Sequence, residues 1–272
     1  MGLLLAGACS HKKSGPGSAS SKTTQVTSLP TQAKTLKLVA SGKLTACIAS
    51  ADPPFAFDDA GRTAGIDAEL IRALGGRMGL QADFVPGPAS SVVDSLKAGK
   101  CDVAAAGIAI ADTLRQQVDL SPPYLPLGPA IVVKKADTQT YAAPSALRGK
   151  SVAVVTGSPA APDVDRAAKA NGFTTTPFAD LDKALAAVKA GTVVAAAVEL
   201  APAAYKVKGS SDLAVSAVIR DQQGGGYGVA SKKGDTLLSS QLASALSQVK
   251  ADDTYRNVLA PSLGDAANLV IG

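Results

Sequence analysis

Residues 96–107 read LKAGKCDVAAAG, and residues 188–199 read VKAGTVVAAAVE. Each stretch contains the end of an amphipathic helix, a glycine suited to close that helix, and a run of Ala and Val typical of a buried strand. The two stretches agree in order and in spacing. The sequence therefore predicts two halves of similar build.

Helix and strand signals alternate around both stretches. The first half has strand-like runs at 44–48 and 103–110 and amphipathic helices at 67–79 and 90–98, the former with Asp67 as its N-cap. The second half has strands at 151–155 and 194–198 and helices at 160–170 and 181–190, and a last helix follows at 236–250. This alternation predicts an α/β protein with parallel sheets and right-handed crossovers.

Composition supports this fold class and excludes several kinds of function. The 272 residues are 46% hydrophobic but only 4% aromatic and contain no Trp, so Ala, Val, Leu and Ile must form the core. No run of 18 apolar residues predicts a membrane-spanning helix. One His and three Cys, without metal-ligand spacing, predict no metal and no cofactor. The single His, His11, lies in a polar tail and leaves a nucleophilic triad without a base.

The net charge of +5 comes from the N-terminal segment. Residues 1–37 contain five lysines and no acidic residue, whereas the rest of the chain has 22 basic and 22 acidic residues. A neutral body argues against nucleic acid as a partner. A basic, polar tail is typical of a solvated tether near anionic lipid.

The first 35 residues differ from the rest of the chain. A short apolar run is followed by Ala6-Gly7-Ala8-Cys9, which resembles the signal ending of a bacterial lipoprotein, where the signal is cut before an acylated Cys. We expect residues 1–9 to be a partial signal with lipidation at Cys9, and residues 10–35 to be a disordered linker. Ala6 stands where Leu is usual, and a chance Cys in a frayed terminus is the alternative.

Six runs of sequence cover nearly all of residues 36–260 and share one resemblance. They are GKLTACIASADPPFAF (42–57), GIDAEL (65–70), KAGKCDVAAAGIAIADTLRQQVDLSPPY (97–124), LRGKSVAVVTGS (147–158), VVAAAVELAPAAY (193–205) and YGVASKKGD (227–235). In their order and spacing they resemble the extracellular solute-binding proteins of ABC importers, in the class that binds polar amino acids.

The resemblance implies a two-lobed periplasmic-binding-protein-like fold of type II. Lobe 1 would be residues 36–125 plus 227–272 and lobe 2 residues 126–226, each a mainly parallel sheet flanked by helices. The ligand would lie between the lobes, outside the carboxyl ends of the strands. The implied protein is an extracytoplasmic monomer, anchored to the membrane by lipid, that delivers a small polar solute, an amino acid or related amine, to an ABC permease. It would not be an enzyme.

The resemblance also assigns ligand-binding residues to both walls of the cleft. Glu199 has the place of an acid that takes the ligand's α-ammonium, with a solvent-facing Glu or an internal ion pair as the alternative. Gly157 and Ser158 would open a helix near 158 whose free N–H groups take a carboxylate, or would form an ordinary N-cap. The opposite wall is expected to include Asp52, Ala106 and Gly107.

Several positions depart from the family pattern. The carboxylate-binding Arg maps onto Leu114, and Arg115, one residue later, either reaches the cleft or lies on the surface. Asp52 replaces an aromatic residue that stacks on the ligand. The hydroxyls usual on this segment are replaced by Ala109 and Ala111. Asp52 opposite Glu199 predicts an acidic cleft and favours a cationic ligand, such as a basic amino acid or a polyamine-like molecule.

Cys47 and Cys101 lie on the first and third strands of lobe 1, which are neighbours in the implied sheet order. In an oxidising compartment they are predicted to form a disulfide, although their different positions along the strands oppose it. Two buried thiols are the alternative.

Two other functions fit the same fold. One is a sensory or assembly protein that keeps the two-lobed shape and imports nothing. The other is a dehydratase acting on cyclic acids, which would need Glu199 or Asp52 as proton donor.

Overall fold

A computed structural model describes residues 36–219 and 225–271. The predicted lipidation site Cys9 and the linker over 10–35 lie outside the described residues. Within those described, the strands are β1 (Lys43–Ala49), β2 (Ala51–Asp52), β3 (Ala56–Asp59), β4 (Arg62–Ala64), β5 (Gln81–Gly87), β6 (Val103–Ala105), β7 (Val118–Leu120), β8 (Leu125–Pro126), β9 (Pro129–Lys134), β10 (Ser151–Val155), β11 (Thr174–Phe178), β12 (Ala195–Glu199), β13 (Leu213–Val218), β14 (Gly226–Tyr227) and β15 (Ala230–Lys232).

The helices alternate with these strands. They are α1 (Ile66–Arg77), α2 (Val92–Lys97), α3 (Asp112–Arg115), α4 (Ala161–Asn171), α5 (Leu181–Ala190), α6 (Leu200–Val207), α7 (Thr236–Lys250), α8 (Asp253–Leu263) and α9 (Ala267–Ile271). The predicted helices at 160–170, 181–190 and 236–250 are confirmed by α4, α5 and α7. Gly172 and Gly191 end α4 and α5 in the left-handed conformation, as a C-terminal glycine does.

Two five-stranded sheets form the two halves, which confirms the predicted α/β fold of two similar units. Their strand orders are β5-β1-β6-β15-β7 and β11-β10-β12-β9-β13. In each sheet the first three strands pair in parallel, whereas the last three pair antiparallel. Four of the five strands of each sheet therefore run in the same direction and one, β15 or β9, runs against them, which confirms the expectation of mainly parallel sheets. The antiparallel strands β9 and β15 follow the segments that pass from one sheet to the other, so no helical crossover sets their direction.

Two local predictions in the first half are wrong, and both concern residues near the turn at Gly107. The strand expected over 103–110 ends at Ala105, because the chain turns at Gly107, where φ is +55°. Asp67 is not an N-cap, since α1 begins at Ile66 with Gly65 as its N-cap. The Asp67 side chain instead accepts the backbone N–H of Gly107 at 2.8 Å, which ties the start of α1 to the turn after β6.

Cys47 and Cys101 are joined by a disulfide, with their Cα atoms 5.6 Å apart. In the parallel pairing of β1 with β6, Cys47 lies opposite Ala104. The carboxylate of Asp102 accepts the backbone N–H of Thr45 at 2.8 Å, and the Asp102 N–H donates to the Thr45 carbonyl. These two hydrogen bonds hold the residues before β6 beside β1. Cys101 therefore lies close enough to Cys47 for the disulfide, despite their different positions along the two strands.

The largest hydrophobic core crosses from one half to the other. Helices α1, α7 and α8 contribute Leu70, Leu242 and Leu259, all fully or almost fully buried. Leu200 and Ala204 of α6, which follows the second sheet directly, belong to the same core. The C-terminal helices therefore pack against both halves.

Candidate functional site

A pocket of about 290 Å³ opens at the carboxyl edge of the second sheet. It lies where β10 ends at Val155 and β12 ends at Glu199. This is the edge at which ligands of open α/β sheets bind. Three of the predicted ligand-binding residues meet here. The lining residues are Val155, Thr156, Gly157, Ser158, Pro159, Leu181, Val198, Glu199 and Pro202.

Glu199 is half-buried at the end of β12, and its carboxylate accepts a hydrogen bond from the hydroxyl of Tyr227. Tyr227 lies on β14, just before the chain rejoins the first sheet through β15. The bond therefore links residues of the two halves. Among the described residues no Lys or Arg forms an ion pair with Glu199, so the predicted alternative of an internal ion pair finds no partner there.

Tyr227 packs against two other aromatic side chains. It is buried, and the centroid of its ring lies 4.7 Å from that of Phe55 and 6.4 Å from that of Tyr124. Phe55 packs in turn beneath Gly107, where a Cβ atom would come within 2.7 Å of the Phe55 ring. Glycine at 107 is thus required both by its positive φ and by this close approach.

Asp67 is a fully buried carboxylate on the first-half side of the site. It accepts hydrogen bonds from the Tyr124 hydroxyl and from the Gly107 N–H. Burial raises its pKa to about 7, and the charge of Asp52 adds to this, while the two hydrogen bonds act in the opposite direction. No described Lys or Arg contributes to the field at Asp67.

Asp52, on β2, completes a group of acidic residues. It is half-buried, and burial raises its pKa. Burial, followed by the charges of Glu199, Asp67 and Asp52, raises the pKa of the Tyr227 hydroxyl, so all three carboxylates lie near that hydroxyl. We call Asp52, Asp67 and Glu199 the acidic centre. Ala106, also half-buried, packs beside it against the end of β1.

The turn at Gly157 and Ser158 differs from the expected anion site. α4 begins at Ala161, not near 158. The Ser158 N–H donates to the Val155 carbonyl at 3.2 Å, and the Ala160 N–H donates to the Ser158 Oγ at 3.2 Å. Pro159 has no N–H to offer. Of this turn, only the Gly157 N–H is left without a partner among the described residues.

Arg115 lies away from the pocket. It is exposed at the end of α3 and lines a separate cavity of about 490 Å³ beside Asp119 and Lys233, which pair with each other at 3.0 Å. Its backbone carbonyl accepts a hydrogen bond from the Lys233 ammonium at 2.8 Å. Of the two alternatives for Arg115, the surface position is the one observed.

Sequence reasoning missed three residues of the site, which are Asp67, Tyr124 and Tyr227. One signal was available for Asp67. It precedes Leu70 by three residues and Ile71 by four, which places it on the apolar face of α1. The tyrosines gave no such signal, because each is defined by a partner far away in the chain.

Neither a metal centre nor a membrane span is found in the ranges 36–219 and 225–271. No three His, Cys, Asp or Glu side chains of these ranges come together as a metal site would require. None of the helices there has the length and apolar character needed to cross a bilayer.

Comparison with known proteins gives a family match over most of the chain and similar proteins that cover 39–82% of it. The profile of the bacterial extracellular solute-binding proteins, family 3, matches residues 44–264. A probable amino-acid-binding protein of Bacillus subtilis is 31% identical over 39% of each chain. An L-arginine-binding protein of Pseudomonas aeruginosa is 28% identical over 78% of this chain and 84% of its own. Substrate-binding domain 2 of Lactococcus lactis GlnP, in an open conformation, shares the fold with a TM-score of 0.72, at 24% identity over 82% of this chain and 95% of that domain.

Proposed function

Because the chain belongs to family 3 of the bacterial extracellular solute-binding proteins, we propose that it captures a small polar solute with an ammonium group, an amino acid or related amine, for an ABC importer. It would work outside the cytoplasm as a monomer. The relatives named above support this, since they are described as binding amino acids or arginine. The solute would lie against the pocket at the end of β12 and the acidic centre.

The observation that supports the proposal most strongly is the position and environment of Glu199. Its carboxylate ends a strand at the pocket and has no cationic partner among the described residues, although it is half-buried. A half-buried carboxylate without a cationic partner gains most from a ligand that brings its own positive charge. The hydroxyl of Tyr227 fixes the carboxylate in place without neutralising it.

A thermal-shift screen of amino acids, polyamines and simple anions tests this function. Ligand at 100 times its dissociation constant should stabilise the protein by about 2.7 kcal/mol. Glu199→Gln keeps the shape of the side chain and removes its charge, and should cost ~2–5 kcal/mol of binding. Asp59→Asn, an exposed acid on β3, is the matched control and should leave the shifts unchanged. Hits confined to anions, or equal shifts in the parent and Glu199→Gln, would contradict the proposal.

We also propose that Cys9 anchors the protein to the membrane by lipid. The support is the apolar run before Cys9 and the polar linker after it. Expressed in a bacterial host with a full signal, the parent should fractionate with the membrane, and Cys9→Ser should be released. A Cys9→Ser protein that stays in the membrane fraction would refute the anchor.

The two alternative functions make different demands on the molecule. A dehydratase for cyclic acids would have to bind a carboxylate, whereas the described residues that line the pocket include the carboxylate of Glu199 and no Lys or Arg. A sensory or assembly protein would show no transport of its ligand. Genes for a permease and an ATPase beside the gene of this protein would favour import over that role.

A further inference from the structure

We propose that the cleft selects aliphatic diamines that have no carboxylate over the amino acids from which they differ only by that group. The inference deepens the proposed function and depends on it. It rests on two observations about the described residues: the acidic centre forms no ion pair with a Lys or Arg, and the backbone N–H groups of Gly107, Ser158, Ala160 and Ala161 are already used within the protein.

The first observation concerns positive charge. A bound amino acid brings a carboxylate, which in a closed cleft needs a cation or several N–H donors. Asp52, Asp67 and Glu199 form no ion pair with any described Lys or Arg, and no Lys or Arg lines the pocket at the end of β12. The nearest candidate in the sequence, Arg115, is exposed and lines a different cavity.

The second observation concerns backbone donors. The N–H of Gly107 donates to Asp67 at 2.8 Å. On the opposite wall, the N–H groups of Ser158, Ala160 and Ala161 all bond within their own turn. The free N–H of Gly157 is a neutral donor, and a neutral donor does not by itself compensate the charge of a desolvated carboxylate.

The carboxylates of the protein itself add to this cost. Asp52 on the first-half side and Glu199 on the other both lie near the Tyr227 hydroxyl. A third negative charge from a ligand would be repelled by both, whereas two ammonium groups would neutralise them. Asp52 forms no side-chain hydrogen bond or ion pair with any residue of 36–219 or 225–271, which leaves it available for the second ammonium.

Apart from Thr156, Gly157, Ser158 and Glu199, the pocket lining suits a methylene chain. Val155, Leu181 and Val198 line it together with Pro159 and Pro202. These side chains offer apolar surface and no hydrogen-bonding groups to a ligand. A short alkyl chain between two ammonium groups matches such a wall.

Isothermal titration of the full protein with matched pairs tests the inference. The pairs are cadaverine with lysine, putrescine with ornithine, and agmatine with arginine. Within at least one pair we expect the diamine to bind more tightly than the amino acid by about tenfold or more. Asp52→Asn should weaken diamine binding by about tenfold or more, whereas the control Asp59→Asn should not.

The outcomes separate this inference from the proposed function. If in every pair that binds the amino acid binds as tightly as its diamine or more tightly, the inference is overturned and the proposed function stands. If Asp52→Asn binds diamines as the parent does, the two-ammonium arrangement is overturned. If no amine and no amino acid binds, both proposals fail together.

Discussion

Asp67 combines full burial, two hydrogen-bond donors and no cation among the described residues. Its hydrogen bonds reach Tyr124 and Gly107, so one side chain fixes the start of α1, the turn after β6 and the end of the segment before β8. The turn is further constrained by the ring of Phe55 beneath Gly107. Such a residue stabilises the geometry of the acidic centre while its own charge is costly to bury.

The titration of Asp67 should make stability depend on pH. Burial raises its pKa from 3.8 to about 7 in the folded protein, so the folded state holds the proton more tightly than the unfolded state. The stability that this group contributes is full below about pH 4 and is lost as the pH rises through about 7. Melting temperatures measured from pH 4.5 to 8.5 should therefore fall for the parent relative to Asp67→Asn.

Asp59→Asn is the control for this profile, since Asp59 is exposed. The difference between its melting temperature and that of the parent should stay constant from pH 4.5 to 8.5. If the difference in melting temperature between the parent and Asp67→Asn is constant as well, Asp67 does not titrate as stated.

At the scale of elements, the disulfide joins β1 to the residues before β6 and closes a loop of 54 residues. A cross-link of that span restricts the unfolded chain and is expected to stabilise the protein by about 4 kcal/mol. The double variant Cys47→Ala/Cys101→Ala should lose an amount of this order in denaturant unfolding. The double variant and the protein it is compared with should both also carry Cys9→Ser, so that no other cysteine complicates the comparison.

Thiol labelling gives an independent check on this bond. Unfolded, unreduced protein with Cys9→Ser should show no reactive thiol, and reduction should expose two. Two reactive thiols before reduction would contradict the disulfide. Equal stability of the parent and the double variant would contradict its expected contribution.

At the scale of the whole molecule, the two halves share a core. Leu200 and Ala204 of α6 pack into the same cluster as residues of α1, α7 and α8, and the Tyr227–Glu199 bond also joins the halves. We therefore expect calorimetry to show one cooperative unfolding transition. Leu200→Ala should lower the temperature of that single transition, by removing buried apolar volume. Two heat-absorption peaks in the parent, or a shift confined to one of two peaks in Leu200→Ala, would show that the halves unfold independently.

The sequence by itself determined several of the helices and strands and the second-half wall of the pocket. Local periodicity and closing glycines predicted α4, α5 and α7 nearly residue by residue, because these signals lie within each helix. The repeat around 96–107 and 188–199 predicted two similar halves, and the carboxyl ends of parallel strands brought Gly157, Ser158 and Glu199 together.

Only the tertiary structure decided which polar groups are free and which are used. Tyr227 reaches Glu199 across 28 residues and Tyr124 reaches Asp67 across 57, so no local pattern reveals either contact. Arg115 lies outside the pocket because one residue along a helix turns a side chain by about 100°. The free or bonded state of an N–H group, and hence the charge that the cleft accepts, depends on tertiary contacts that form only when distant segments pack.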